Sequence, residues 1–317
     1  MLLTIMKFKN VLIYPCDKCR YDYSSGGITC SFEMARILSY YFPNVLIYNV
    51  LPKGNAIYNK SFTDITISTD LKQEYNIENT LVIYGEGVEY NPLKSKYIVR
   101  WILGPLGINC AKEIYKTWGE KDLVYHFNND VNMNNKLVHK LLSYIHINPK
   151  LIDNNVNRSG TCFAIRKGKK YNTNLIQIHP DDSFYIRDAT TQPDLINIFN
   201  SNIFFISYDP LTFLNIMAAM CGCISIVYKS EKLTKEEWYK TTAIYRYLKD
   251  KNEPLYGIAY GPEEIDFAMN TIHLVKEQWT NFQKYLIENS IVPFVKDMEN
   301  IDILENNVFN NYININK

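Results

Sequence analysis

The sequence predicts an α/β protein made of two Rossmann-like domains that face one another. Two observations predict this. Apolar strand-like runs alternate with amphipathic helical runs along almost all of the 317 residues, and crossover helices between strands favour parallel sheets. A polar, turn-rich stretch, DNNVNRSG at 153–160, then divides the chain into two α/β halves of similar size. The expected organisation is an N-terminal domain over 1–152, a second over 153–290 and a final segment over 291–317.

In the first half the runs NVLIYP, VLIYNV, TLVIYG and YIVRWIL read as strands, and SFEMARILSYYF reads as the helix between the first two. Gly26 and Gly27 stand between the first strand and that helix. Glycine lets a ligand approach the backbone closely, and the free N–H groups and dipole of a helix start suit an anionic or hydroxyl-rich group. Glu86 and Glu89 follow the strand TLVIYG. A carboxylate at that rim can act as a general base, so Glu86 is the candidate catalytic residue and Glu89 reads as a solvated loop acid. Arg100, beside Trp101, is a candidate for the acceptor side, and an arginine bracing a loop would look the same.

In the second half CFAI, NLIQIH, IFFISY and CISIVY read as strands. Arg166 and Lys167 end the first of these and precede Gly168, a position for cations that neutralise a diphosphate. In SYDPLTFLNIMAAM, Asp209 reads as a helix N-cap with Pro210 at the first helical position. Ser207, Tyr208, Asp209 and Thr212 would then contact a nucleotide sugar, with Asp209 capping or bonding sugar hydroxyls. YGIAYG, bearing Tyr256 and Tyr260, reads as a loop that allows close approach to a base or ribose. Residues 263–288 carry a long helical pattern, and residues after 290 read as a last helix and tail.

Composition narrows the partners. With 34 basic and 33 acidic residues the formal charge is +1, so no global field favours nucleic acid or an anionic membrane. The mostly apolar run 213–228 falls short of the roughly 18 to 20 residues a spanning helix needs, and Cys221-Gly222-Cys223 interrupts it. Seven cysteines, an odd number with no secretory leader, fit a reducing compartment, and a cytoplasmic location is expected. Cys16 and Cys19 have zinc-like spacing without a second pair, and the five histidines form no metal motif; His179-Pro180-Asp181-Asp182 reads as a turn. The chain contains no Asp-x-Asp, so the reading requires no metal and no cofactor. A homodimer is among the partners the sequence allows.

Together the blocks Gly26-Gly27, Glu86 with Asn91-Pro92-Leu93 and VRWILGPLG, IRKG, SYDPLTF with AAMCGC, and YGIAYG resemble glycosyltransferases of the GT-B fold. Those enzymes assemble surface polysaccharides in bacteria, and related versions occur in some large DNA viruses. The resemblance spans about residues 10–296. Gly85 and Gly104 depart from the family's usual proline and asparagine, which bears on acceptor identity. The resemblance implies acceptor binding by the N-terminal domain and nucleotide-sugar binding by the C-terminal one. It also implies transfer of a sugar to a glycan or glycoconjugate hydroxyl without a metal, in the host cytoplasm if the chain is viral, with the last segment crossing back to the first domain. The rival expectations are a nucleotide-sugar isomerase or epimerase, and a non-catalytic nucleotide- or glycan-binding protein.

Overall fold

The computed structural model describes residues 7–16, 26–48, 66–68, 76–104, 106–107, 110–128, 140–145, 147–148, 150–154, 157–187 and 190–301. The chain forms two compact units, Met1–Ile145 with Tyr285–Lys317, and His146–Lys284. The divisions fall at 145/146 and 284/285, several residues before the boundaries expected from composition.

Among its described residues the first unit holds seven parallel strands, β1 (Asn10–Tyr14), β2 (Asn44–Tyr48), β3 (Thr66–Ser68), β4 (Thr80–Gly85), β5 (Tyr97–Ile102), β6 (Leu123–His126) and β7 (Lys140–Leu141). Their order is β3-β2-β1-β4-β5-β6-β7. β4 and β5 are buried at every position, which is why TLVIYG and YIVRWI read as continuous rather than alternating apolar runs. Helix α1 (Gly26–Leu38) opens at the double glycine and contributes Phe32, Met34, Ala35 and Leu38 to the core. Across the strand starts, Asn44 donates to Asn10 Oδ1 at 3.0 Å and Asn10 donates to Thr80 Oγ1 at 3.4 Å, a polar row that fixes register.

The last described helix belongs to this unit. The Ser143 N–H donates to Ser290 Oγ at 2.6 Å, and Asp297 accepts from the Tyr125 hydroxyl at 2.6 Å and from Lys140 Nζ at 2.7 Å. Phe294 packs edge-on against Tyr125.

The second unit is a five-stranded parallel sheet of β8 (Thr161–Ala164), β9 (Phe184–Tyr185), β10 (Phe204–Ser207), β11 (Ile224–Val227) and β12 (Ile258–Tyr260), in the order β12-β11-β10-β8-β9. Its helices are α2 (Gly168–Tyr171), α3 (Gln192–Ser201), α4 (Leu214–Met220), α5 (Lys235–Thr241), α6 (Tyr245–Lys251), α7 (Ile265–Thr271) and α8 (Val275–Leu286). After a π-turn over Ile287–Ile291, α9 (Val292–Glu299) completes the first unit. The long helical pattern after residue 262 is thus broken into α7 and α8 by a 3₁₀ turn at Ile272–Leu274. No helix among the described residues is long and apolar enough to cross a membrane.

Two sequence assignments change. NLIQIH is not a strand: the N–H groups of Ile176 and Ile178 donate to the hydroxyls of Tyr228 (3.2 Å) and Tyr208 (2.9 Å) instead of to a neighbouring strand. YGIAYG is not a loop: Ile258–Tyr260 pairs in parallel with β11 and closes the sheet.

Candidate functional site

In open parallel sheets, ligands bind outside the carboxyl ends of strands, at the point where the strand order reverses. In the second unit that point lies between β8 and β10, which are paired from Phe204↔Thr161 to Ser207↔Ala164. The segments leaving these two strands carry the cations and the Asp-Pro turn singled out above. Arg166 and Lys167 follow β8, and Tyr208 to Thr212 follow β10.

These two segments are locked together. The Tyr208 N–H donates to Ala164 O at 3.0 Å, and the Lys167 N–H approaches Asp209 Oδ2 at 3.4 Å. The Gly168 N–H donates to Ile165 O at 2.7 Å and closes a tight turn. A Cβ on Gly168 would lie 2.6 Å from the Tyr208 carbonyl oxygen, so only glycine allows this approach. Within the turn Arg166 has φ +42°, a left-handed conformation that residues other than glycine rarely adopt. Lys167 is exposed and Arg166 half-buried.

Asp209 does not cap α4, which begins at Leu214 with Phe213 at its N-cap. Its carboxylate instead accepts from the Leu211 N–H at 3.1 Å and shapes the turn before the helix. Burial pushes the Asp209 carboxyl up, against the opposing pull of the Leu211 and Lys167 N–H groups and the charges of Lys167 and Arg166. Ser207 is fully buried, its hydroxyl donating to Asp209 O at 2.8 Å. Tyr208 is also buried, and Thr212 accepts from the Leu214 N–H at 3.4 Å. Ser207, Tyr208 and Asp209 therefore build the loop, while Arg166, Lys167 and Thr212 are its more accessible members.

Tyr260 ends β12 on the same rim. It is stacked on Trp238 at 5.0 Å and donates to Leu233 O at 2.5 Å. It lines a cavity of about 350 Å³ with Lys229, Ser230, Thr234, Glu263 and Glu264. Lys229 pairs with Glu263 at 2.8 Å, and Lys235 pairs with Glu264. Tyr256 lies before β12, at the opposite end of the strand, with its N–H bonded to Gln278 Oε1 at 3.2 Å. It is removed from the rim that holds Arg166, Lys167 and Tyr260.

Sequence reasoning passed over His179 and Glu263–Glu264. His179 lies flat on Phe163, with ring centroids 3.6 Å apart, and its Nδ1 is 2.7 Å from the Tyr208 hydroxyl. That hydroxyl also accepts from the Ile178 N–H. The Tyr208 hydroxyl and Nδ1 share one hydrogen bond, whose donor is set by the imidazole tautomer. The signals in the sequence were a histidine beside Pro-Asp-Asp and a Pro-Glu-Glu helix start, and neither has a spacing that singles it out.

In the first unit the order reverses between β1 and β4. There Gly85 sits where an added Cβ would meet the Pro15 carbonyl oxygen at 2.1 Å, which accounts for glycine at that position. Glu86 is buried, and its Oε2 accepts from the backbone N–H groups of Leu103 (2.5 Å) and Gly104 (3.0 Å), tying the end of β4 to the segment after β5. Gly27 opens α1 beside Leu103, 3.4 Å from where its Cβ would be. Arg100, expected on the acceptor side, is fully buried: it pairs with Asp122 at 2.6 Å, donates to the carbonyls of Val88 (2.9 Å) and Tyr90, and lies over the Tyr84 ring. Of the Cys16-x-x-Cys19 pair, Cys19 lies outside the described residues. No protein-family model matches the chain, and no curated protein matches it.

Proposed function

We propose that this chain transfers a glycosyl group from a nucleotide-sugar donor to a hydroxyl of a glycan or glycoconjugate, with the donor held by the second unit. The observation that carries the reading is the rim of that unit's sheet. Two cations stand at the switch point after β8, and a cavity edged by carboxylates stands at the end of β12. Three strand spacings of about 4.8 Å separate them, about 14 Å in all. That span suits a nucleoside diphosphate, with the ribose hydroxyls toward Glu263 and Glu264 and the phosphates toward Arg166 and Lys167.

In this mechanism the guanidinium and ammonium stabilise charge that develops on the departing diphosphate. The Asp209 turn holds the loop carrying them rather than touching phosphate, which its charge would repel. Glu86 is the proposed base. Glu86→Gln tests it well, because the amide oxygen still accepts from Leu103 and Gly104 while the basicity is gone. Turnover should fall with donor affinity unchanged, and full activity would reject the role.

The donor reading is tested by thermal shift against UDP, GDP, CDP, dTDP and their sugars, with EDTA and then with manganese. One nucleotide family should raise the melting temperature in EDTA. Arg166→Ala with Lys167→Ala should weaken that nucleotide by about a hundredfold, two charge-assisted contacts being lost. Unchanged affinity would remove these residues from the site, and a shift seen only with manganese would overturn the metal-free mechanism. Interconversion of free nucleotide sugar without acceptor would favour an isomerase.

A further inference from the structure

A second cavity, of about 450 Å³, lies between the end of β9 and helix α3, lined by Phe184, Arg187, Thr190, Asp194, Asn197 and Ile198. Both walls are fixed. Phe184 pairs in register with Cys162 of β8, and Ile186 is buried with its N–H donating to Phe163 O at 2.8 Å. On the other wall Asp194, Asn197 and Ile198 are spaced i, i+3, i+4 and share one stripe of α3. Thr191 caps that helix, accepting from the Asp194 N–H at 3.3 Å, and Pro193 stands in its first turn.

The chemistry of the lining is specific. Phe184 is 54% exposed and offers an apolar face to the cavity. Around it stand three planar polar groups, a guanidinium, a carboxylate and an amide. The side chains of Arg187 and Asn197 have no hydrogen-bond partner among the described residues. The Arg187 and Asp194 charges cancel, and the Asp194 carboxylate disfavours phosphate. The volume falls in the range of small-ligand sites, roughly 300 to 1,000 Å³.

We infer that this cavity binds a neutral saccharide, whose C–H face stacks on Phe184 and whose neighbouring hydroxyls pair with Arg187, Asp194 and Asn197. It shares no lining residue with the nucleotide rim, and it does not depend on the donor reading.

The test is saturation-transfer NMR on the full chain with lactose, cellobiose and N,N′-diacetylchitobiose as probes. At least one probe should show transfer that persists under saturating nucleoside diphosphate. Phe184→Ala and Asn197→Ala, both at exposed positions, should each weaken it by about tenfold at an unchanged melting temperature. No transfer from any probe, unchanged binding in both variants, or displacement by the nucleotide would each overturn the inference. A chain that binds a probe but no nucleotide would fail the donor reading and leave the saccharide site standing.

Discussion

The two units solve the same topological problem with opposite uses of their polar groups. Both are parallel sheets whose order reverses once, between β1 and β4 in one and between β8 and β10 in the other. At the first reversal the fold takes up Arg100 entirely and holds one oxygen of Glu86. Glu86 binds two backbone N–H groups, and Arg100 binds Asp122 and two carbonyls in full burial. At the second, the buried polar groups Ser207 and Asp209 shape a loop that leaves an exposed lysine and a left-handed arginine at its tip. A charged residue after a parallel strand is thus not a site until its burial and partners are known.

This contrast predicts a graded set of responses. Arg100→Ala should destabilise most, by about 3–5 kcal/mol, because it strands Asp122 in the core; denaturant unfolding measures it, and a loss below 1 kcal/mol would return Arg100 to the candidate ligand groups. Gly85→Ala should cost about 1–3 kcal/mol through contact with the Pro15 carbonyl. Arg166→Gly should behave in the opposite sense. Relief of the left-handed strain offsets the lost side chain, so stability should hold within about 1 kcal/mol while nucleotide affinity drops. A stability loss equal to that of Arg100→Ala would erase the distinction between the two rims.

Two smaller effects are pH-dependent. Burial raises the Glu33 carboxyl from 4.5 to about 8, opposed by the Arg36 charge, and its Oε2 has no hydrogen-bond partner among the described residues. The native state keeps this proton between pH 4.5 and 8 while the unfolded chain releases it, so its contribution to stability falls as pH rises through that window. Glu33→Gln should flatten the slope, as read from melting temperature against pH. Burial lowers His179 below its ordinary 6.5, with the Asp181 charge acting the other way. Its contribution to stability should therefore be full above pH 6.5 and be lost on acidification. His179→Gln, which has no group titrating in that range, should abolish that acid-side loss, the smallest of the expected effects.

Much of the strand content was legible because buried parallel strands read as unbroken apolar runs, as in NVLIY, TLVIYG and CISIV. The failures have a common cause. NLIQIH has the composition of a strand, yet its N–H groups are taken by two tyrosines 30 or more residues away. YGIAYG has the glycines of a loop, yet its three central residues find a ladder on β11. Asp209-Pro210 has the form of a helix start, but the Asp209 carboxylate meets Leu211 and Lys167 first, and the helix begins at Leu214. The Arg166-Lys167-Gly168 turn could be found from its position after a strand; its contact with Tyr208 could not.

The amino-acid order alone determined the alternation of strands and helices, the division into two α/β halves and the glycines and cations that follow strands. These are local properties, set by side-chain volume, backbone freedom and periodicity. Tertiary structure decided which strand ends became neighbours, which carboxylates were taken up by backbone N–H groups, and which ring stayed exposed at a sheet edge. Those outcomes depend on partners distant in the chain, since a buried polar group must find whatever donor or acceptor the packing brings to it.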